Sequence, residues 1–278
     1  MASITDCVVE GLKYPFNDPK KLLGFGVFCA LISALSTYMG FKSLDIFRAT
    51  VLIVENTNTT VSHIPFSQLP AGDIYLVAAL AIISFIIALF IMGYQYNVVK
   101  FSIDRKDDLP GFGDLPAMFV NGVKYFIVTL AYNVIPALVL IGGLALVGDS
   151  SAVLIIIAIS MLLFIIAYFL LIMALNNMVA YDSIKKAFDF GEIIGNISNL
   201  GRGKYVGIIL FTIIVMMIIS VAVSFILSLI TVGFAAVINN QALIVSIAIA
   251  IIEGLFIDSY MGVFYNRVCG SIYRESIK

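Results

Sequence analysis

The sequence predicts an all-α integral membrane protein: six transmembrane helices, short cytoplasmic interfacial amphipathic helices, and both termini cytoplasmic. Three observations predict it. Of the 278 residues 62% are hydrophobic and only 12% are charged, about half the charge of a soluble domain. A soluble chain of this size would lack the polar residues to cover its surface, whereas a bilayer solvates apolar side chains directly. Six apolar runs reach the roughly 20 residues that a helix needs to cross the hydrocarbon core, and the basic residues collect in alternate connections between them.

The runs predict spans at Leu22–Phe41, Ile74–Val99, Val123–Val147, Ala152–Leu175, Tyr205–Val232 and Ala242–Asn266, within one membrane domain over 1–278. The alternating ten-residue segments of a β-barrel are absent. With both termini inside, every one of the 16 lysines and arginines except Lys42 and Arg48 falls on the cytoplasmic side, as retention of positive charge requires. This places surface segments 3–21, 104–122 and 182–204 inside and the loop 42–73 outside, in the plasma membrane. That loop holds Asn58-Thr59-Thr60, an acceptor pattern that serves only on an exported face, although Asn196-Ile197-Ser198 repeats it on the cytoplasmic side. The first 21 residues carry Lys13, Lys20 and Lys21 against Asp6, Glu10 and Asp18. Such a balanced flank is a poor start for a cleaved leader, so the first run is expected to stay as a span.

The surface segments share a logic. In "RKDDLPGFGDLPAMFVNGVKYF", Arg105 to Phe126, Leu109 to Gly113 cannot continue a helix. Asp114 can then cap one whose apolar residues Leu115, Met118, Phe119, Val123 and Phe126 share a face. "FGEIIGNISNLGRGKY" repeats this pattern before the fifth span, opening on Phe190 and closing on Lys204-Tyr205. A fainter copy starts at Ser3, which with Asp6 reads as a capping box, and closes on Lys13-Tyr14. The three copies suggest three parallel units of a surface helix and two spans. The competing explanation is that Lys-Tyr is simply a common anchor at an inner boundary.

The combination of "YPFND" at Tyr14 to Asp18, "DDLPGFGDL" at Asp107 to Leu115, and Phe119 followed by Gly122-Val123-Lys124 resembles an archaeal family of multi-pass membrane proteins catalogued as domain of unknown function 4013. The resemblance implies six spans in an archaeal plasma membrane. It supplies no activity and no catalytic residue.

For chemistry the sixth span is the informative one. Glu253 and Asp258 are carboxylates in hydrocarbon, which are costly and usually face a bundle interior or a wet cavity. Ser246, Ala250, Gly254, Asp258 and Gly262 recur every four residues, a small-residue stripe that lets another helix approach. No Lys or Arg lies in a span core to pair with these acids. Each acid is expected to be protonated, hydrated, or paired with a cation or a polar side chain, and Asp258 lies near enough to the inner boundary to meet Arg267. Tyr132 and Asn133, beside the helix-interrupting Pro136, complete a candidate intramembrane polar site with Glu253 and Asp258. Candidate lipid-contact residues at the inner interface are Phe119, Lys124, Tyr125, Lys204 and Tyr205, and Asn176 and Asn177 are expected to meet headgroups.

Enzyme signals are missing. The single histidine, His63, has no partner at metal-ligand spacing, and no P-loop, nucleophile elbow or dinucleotide fingerprint occurs. Cys7, Cys29 and Cys269 are scattered and suit neither a disulfide framework nor a zinc site. No cofactor and no metal are expected, and a net charge of -1 is wrong for a nucleic-acid binder. Two readings follow. The protein moves a proton, cation or small solute using the acids of the sixth span, or it is a non-enzymatic membrane-organising module that binds lipid or a partner through its cytoplasmic surface helices.

Overall fold

The computed structural model describes residues 3–57, 69–147, 152–235 and 242–277. Among them the protein is all α-helical, with no strand, and six helices are long and apolar enough to cross a membrane. The acceptor pattern at Asn58 and the histidine at position 63 lie outside the described residues.

Helix α1, Ile4–Lys13, starts where the Ser3 amide donates to the Asp6 carboxylate at 2.7 Å, one half of a capping box. A 3₁₀ turn, Tyr14–Asn17, follows, with Pro15 ending the α-helical ladder. Helix α2, Pro19–Thr57, opens with Asp18 accepting the Lys21 amide at 3.2 Å and proline in the first position, where its missing N–H costs nothing. That amide is also the main reason the Asp18 carboxyl sits below its ordinary pKa.

The helix then runs past Phe41 through the first half of the expected loop 42–73, to Thr57. The extension has a simple cause: residues 42–57 contain neither glycine nor proline, so the polar residues there do not break the helix. Lys42 pairs with Asp73 at 3.0 Å.

Helix α3 is Ala71–Ile103, α4 Leu115–Val147 and α5 Val153–Tyr181. Helix α6 is Phe190–Leu200, preceded by a 3₁₀ turn at Ile184–Phe188. Helix α7 is Arg202–Ala235. The sixth span comprises α8, Ala242–Ile252, a π-helical turn at Glu253–Asp258, and α9, Ser259–Ser276. Apart from the surface helix α6, each span continues beyond the apolar run that predicts it, because hydropathy marks the part inside the bilayer and not the helix.

The surface helices are not equivalent. Asp114 accepts the Ala117 amide at 2.9 Å and starts a helix continuous with the third span. Before the fifth span the capping acid is Asp189, which accepts the Glu192 amide, and not Glu192, the residue that the sequence repeat aligns with Asp114. Gly201, at φ 92°, then separates α6 from α7, a backbone that glycine adopts without steric cost. Helices α3 and α5 end on left-handed residues, Arg105 at φ 59° and Asp182 at φ 48°. In each case the next amide, of Lys106 or Ser183, returns to the carbonyl five residues back, of Phe101 or Met178, a closure in which glycine is the usual residue.

The described chain forms two compact units. Unit one comprises Met1–Leu22, Met92–Met217 and Met261–Lys278; unit two comprises Leu23–Ile91 and Ile218–Tyr260. Unit one has a core of Met118, Met173, Met178, Ile193 and Phe264. Its helices approach closely where glycine allows it, with Gly11 against Val268 and Gly270 against Ser102. Unit two packs Phe25, Cys29 and Leu89 and stacks Phe28 on Phe90 at 5.9 Å. Outside these cores the spans show apolar side chains such as Ile135, Leu154 and Phe225, as helices facing lipid do.

Candidate functional site

Unit one ties its basic end together around Arg267. The side chain is only 2% exposed, so its charge must be compensated locally. Its Nε donates to Glu10 Oε1 at 3.0 Å and its Nη1 to the Lys106 carbonyl at 2.6 Å. Its Nη2 lies 2.8 Å from Glu10 Oε1, and the guanidinium sits 4.1 Å from the centre of the Tyr14 ring. Arg274 pairs with the second oxygen of Glu10 at 2.8 Å. Burial pushes the Glu10 carboxyl up, but Arg274, followed by Arg267, outweighs it and holds the group below its ordinary pKa.

The N-terminal segment also latches the Asp104–Pro110 loop. Tyr14 donates to the Asp108 carbonyl at 2.7 Å, Asn17 to the Asp107 carbonyl at 2.8 Å, and Lys21 to the Leu109 carbonyl at 2.7 Å. Burial raises the Tyr14 hydroxyl to about 12, so it stays a donor at any physiological pH. The cluster of charge, proline and glycine that stands out in the sequence is therefore a fastened turn.

A second polar layer lies on α5. Asn176 and Asn177 are buried, which corrects the expectation that they meet headgroups. The Asn176 amide donates to the Ile172 and Cys269 carbonyls, and the Asn177 amide to the Lys186 carbonyl. Asn177 Oδ1 accepts from Tyr273 at 3.0 Å. At the end of the helix, Asp182 Oδ1 takes both Lys124 and Tyr96 at 2.7 Å. Hydrogen bonds from Lys124 and then Tyr96 hold that carboxyl below its ordinary pKa.

Several lipid-contact candidates are thus engaged inward. Lys124 is paired with Asp182, Tyr125 reaches Asn266 at 3.5 Å, and Tyr205 is 1% exposed with its hydroxyl on the Phe169 carbonyl at 2.5 Å. Phe119 and Lys204 are half-buried. An aromatic ring at an interface and one packed beneath it look alike in sequence.

The four polar-site candidates fall into the two units. In unit one, Tyr132 donates to the Ala187 carbonyl at 2.6 Å and stacks on Phe188 at 5.9 Å, while the Asn133 amide is spent on the Thr129 carbonyl one turn earlier. In unit two, Glu253 and Asp258 bracket the π-helical turn, a feature frequent at functional sites. Here the sixth span touches the first almost backbone to backbone: Gly26 meets the Leu255 carbonyl, and a Cβ on residue 254 would lie 2.6 Å from the Ala30 Cα. One turn along, the Ser33 hydroxyl donates to Asp258 Oδ2 at 3.1 Å. Asp258 therefore meets a serine, while Arg267 is committed to Glu10. Among the described residues neither acid meets a lysine or arginine, and none of them form a group of three metal-ligating side chains.

A family model described as protein of unknown function (DUF4013) matches residues 76–228, more than half of the chain. The chain belongs to this family. The match starts beyond the Tyr14–Asp18 motif and takes in the turn at Asp107–Leu115, so the DUF4013 region holds the fastened loop and Asp182 but neither Glu10 nor Arg267. Glu253 and Asp258 also lie beyond it. No curated protein and no solved structure matches the chain.

Proposed function

We propose that this DUF4013 protein is a non-catalytic membrane protein that takes up a proton or small cation at the acids of its sixth span and passes it across the bilayer. One observation carries the reading: Glu253 and Asp258 sit on a π-helical turn inside an apolar span, with no basic partner among the described residues. An ionised carboxylate in hydrocarbon needs a counter-charge and a neutral one needs a proton, so such a site exchanges positive charge. Ser33 holds Asp258 in place and Glu253 is the exchanging group. In proteoliposomes, Glu253→Gln should lower proton or monovalent-cation flux at least tenfold, with Ser33→Ala giving a smaller loss. Flux equal to wild type for the Gln variant in every proton and cation assay would remove the reading.

A second reading, a membrane-surface module, is favoured by exposed Val9, Phe190 and Ile194 on α1 and α6, placed beside the basic residues. It requires the basic end to face the anionic cytoplasmic leaflet. The native cysteines are buried, so an introduced one reports cleanly. Gly113→Cys should react with an impermeant maleimide only after cells are permeabilised; labelling in sealed cells would reverse the orientation and end this reading.

A further inference from the structure

Between α4 and α5 unit one carries an open apolar groove of about 320 Å³, walled by Tyr132, Ile135, Pro136, Ile166, Ala167 and Leu170 and closed at one end by Phe188 and Phe190. This volume is at the lower end of the range of ligand pockets, about 300–1,000 Å³. The two helices are membrane spans, and Ile135 and Ile166 are exposed on them, so the groove opens to hydrocarbon. Its closed end is rigid. The Tyr132 hydroxyl is fixed to the Ala187 carbonyl, its ring stacks on Phe188, and Phe190 lies 6.1 Å away at a tilt.

We propose that this groove binds one hydrocarbon chain of an anionic membrane lipid, whose phosphate is held by Lys185. Apolarity by itself cannot hold a chain here, because the surrounding lipid is equally apolar. Selection comes from a preformed shape and from charge. The shape is the aromatic stop made by Tyr132, Phe188 and Phe190.

The charge follows from the 3₁₀ geometry of Ile184–Phe188. With three residues per turn, side chains three apart eclipse, so Lys185 shares a face with Phe188, the wall of the groove. Lys185 is exposed and forms no ion pair among the described residues, whereas its neighbour Lys186 is taken by Asp189 at 3.1 Å and Glu192 at 2.6 Å. Of these two lysines Lys185 is the one left for a headgroup, and it stands beside the aromatic end, so the phosphate rests there and the chain runs away from it along Ile135 and Ile166.

The site is independent of the ion-exchange reading and gives the surface-module reading a defined ligand. Retained lipid is measured directly, so failure of the topology test leaves its outcome intact. The full chain, purified in mild detergent from membranes containing phosphatidylglycerol and phosphatidylcholine, should carry close to one phosphatidylglycerol by native mass spectrometry. Ala167→Phe, which fills the groove, should cut that occupancy at least fivefold. Ala158→Phe, at an exposed position of the same helix, should leave it unchanged. Lys185→Gln should abolish the preference for phosphatidylglycerol over phosphatidylcholine.

Equal occupancy in wild type and the groove-filled variant, or equal loss in both phenylalanine variants, would overturn the proposal. Should Ala167→Phe fail to fold, wild type in nanodiscs with a diazirine-chain phosphatidylglycerol decides. Crosslinks should concentrate on peptides holding Ile135 and Ile166, and labelling spread evenly to Leu154 and Ile218 would refute the site.

Discussion

Glu10→Ala should destabilise the protein by about 3–5 kcal/mol, the usual penalty for leaving a buried charge without its partner. Arg267 is almost wholly enclosed, and Glu10 supplies the only carboxylate that receives two of its nitrogens. The Lys106 carbonyl, the Tyr14 ring and the Asp107 carboxylate, 3.7 Å from Nη2, remain in the variant, but the first two carry no charge and Asp107 is solvent-exposed and screened. Replacing the pair together, with Glu10→Leu and Arg267→Met, should recover most of the loss, because two apolar side chains need no compensation. Apparent melting temperature in detergent reads both. The wild type should also weaken in acid. Because the folded carboxyl sits below its ordinary pKa, its contribution is present above the unfolded value and is lost as pH falls through the folded one. The gap between wild type and Glu10→Ala should therefore narrow below about pH 4. An alanine variant that melts with wild type at neutral pH would show that Arg267 is compensated elsewhere.

That arginine shows where sequence reading stops. Spans, caps and turns are legible because each depends on neighbouring residues: the apolar runs found the six helices, Asp114 and Ser3 were visible as caps from the next three residues, and Pro110 and Gly111 marked a turn. Pairings across 257 residues, such as Glu10 with Arg267, leave no local trace. Arg267 reads as one more retained positive charge, and only the fold shows that it is spent inside the protein. Asn176 and Asn177 mislead for a related reason. They stand at the end of an apolar run, where polar residues ordinarily meet water, but α5 continues to Tyr181 and α9 covers them. Tyr205 is the same case for an aromatic ring. The intramembrane acids were legible as isolated charges in hydrocarbon. The π-helical turn that carries them has no residue pattern of its own to mark it; it lies where the first and sixth spans come into close contact at Gly26 and Gly254.

Close backbone contact also sets the strongest expectation for a single methyl group. In unit one, Gly93 on α3 faces the Met118 backbone of α4 so closely that any Cβ would overlap the Met118 carbonyl oxygen. A side chain in the way can rotate; a carbonyl within a helix ladder cannot. Gly93→Ala must therefore push α3 and α4 apart, loosening the contact that carries Met118 and the start of the third span, at a cost of about 1–3 kcal/mol or more. Gly142, on α4 itself, has nothing within 4 Å of its would-be Cβ. There the same substitution removes backbone freedom from the unfolded chain and should stabilise by about 0.4–1 kcal/mol. The two alanines thus have opposite expected signs, and Gly93→Val should be worse than Gly93→Ala while Gly142→Val stays mild. The fraction of monodisperse protein surviving a heat step in detergent would separate them. Equal survival of Gly93→Ala and Gly142→Ala would mean that α3 and α4 do not meet backbone to backbone.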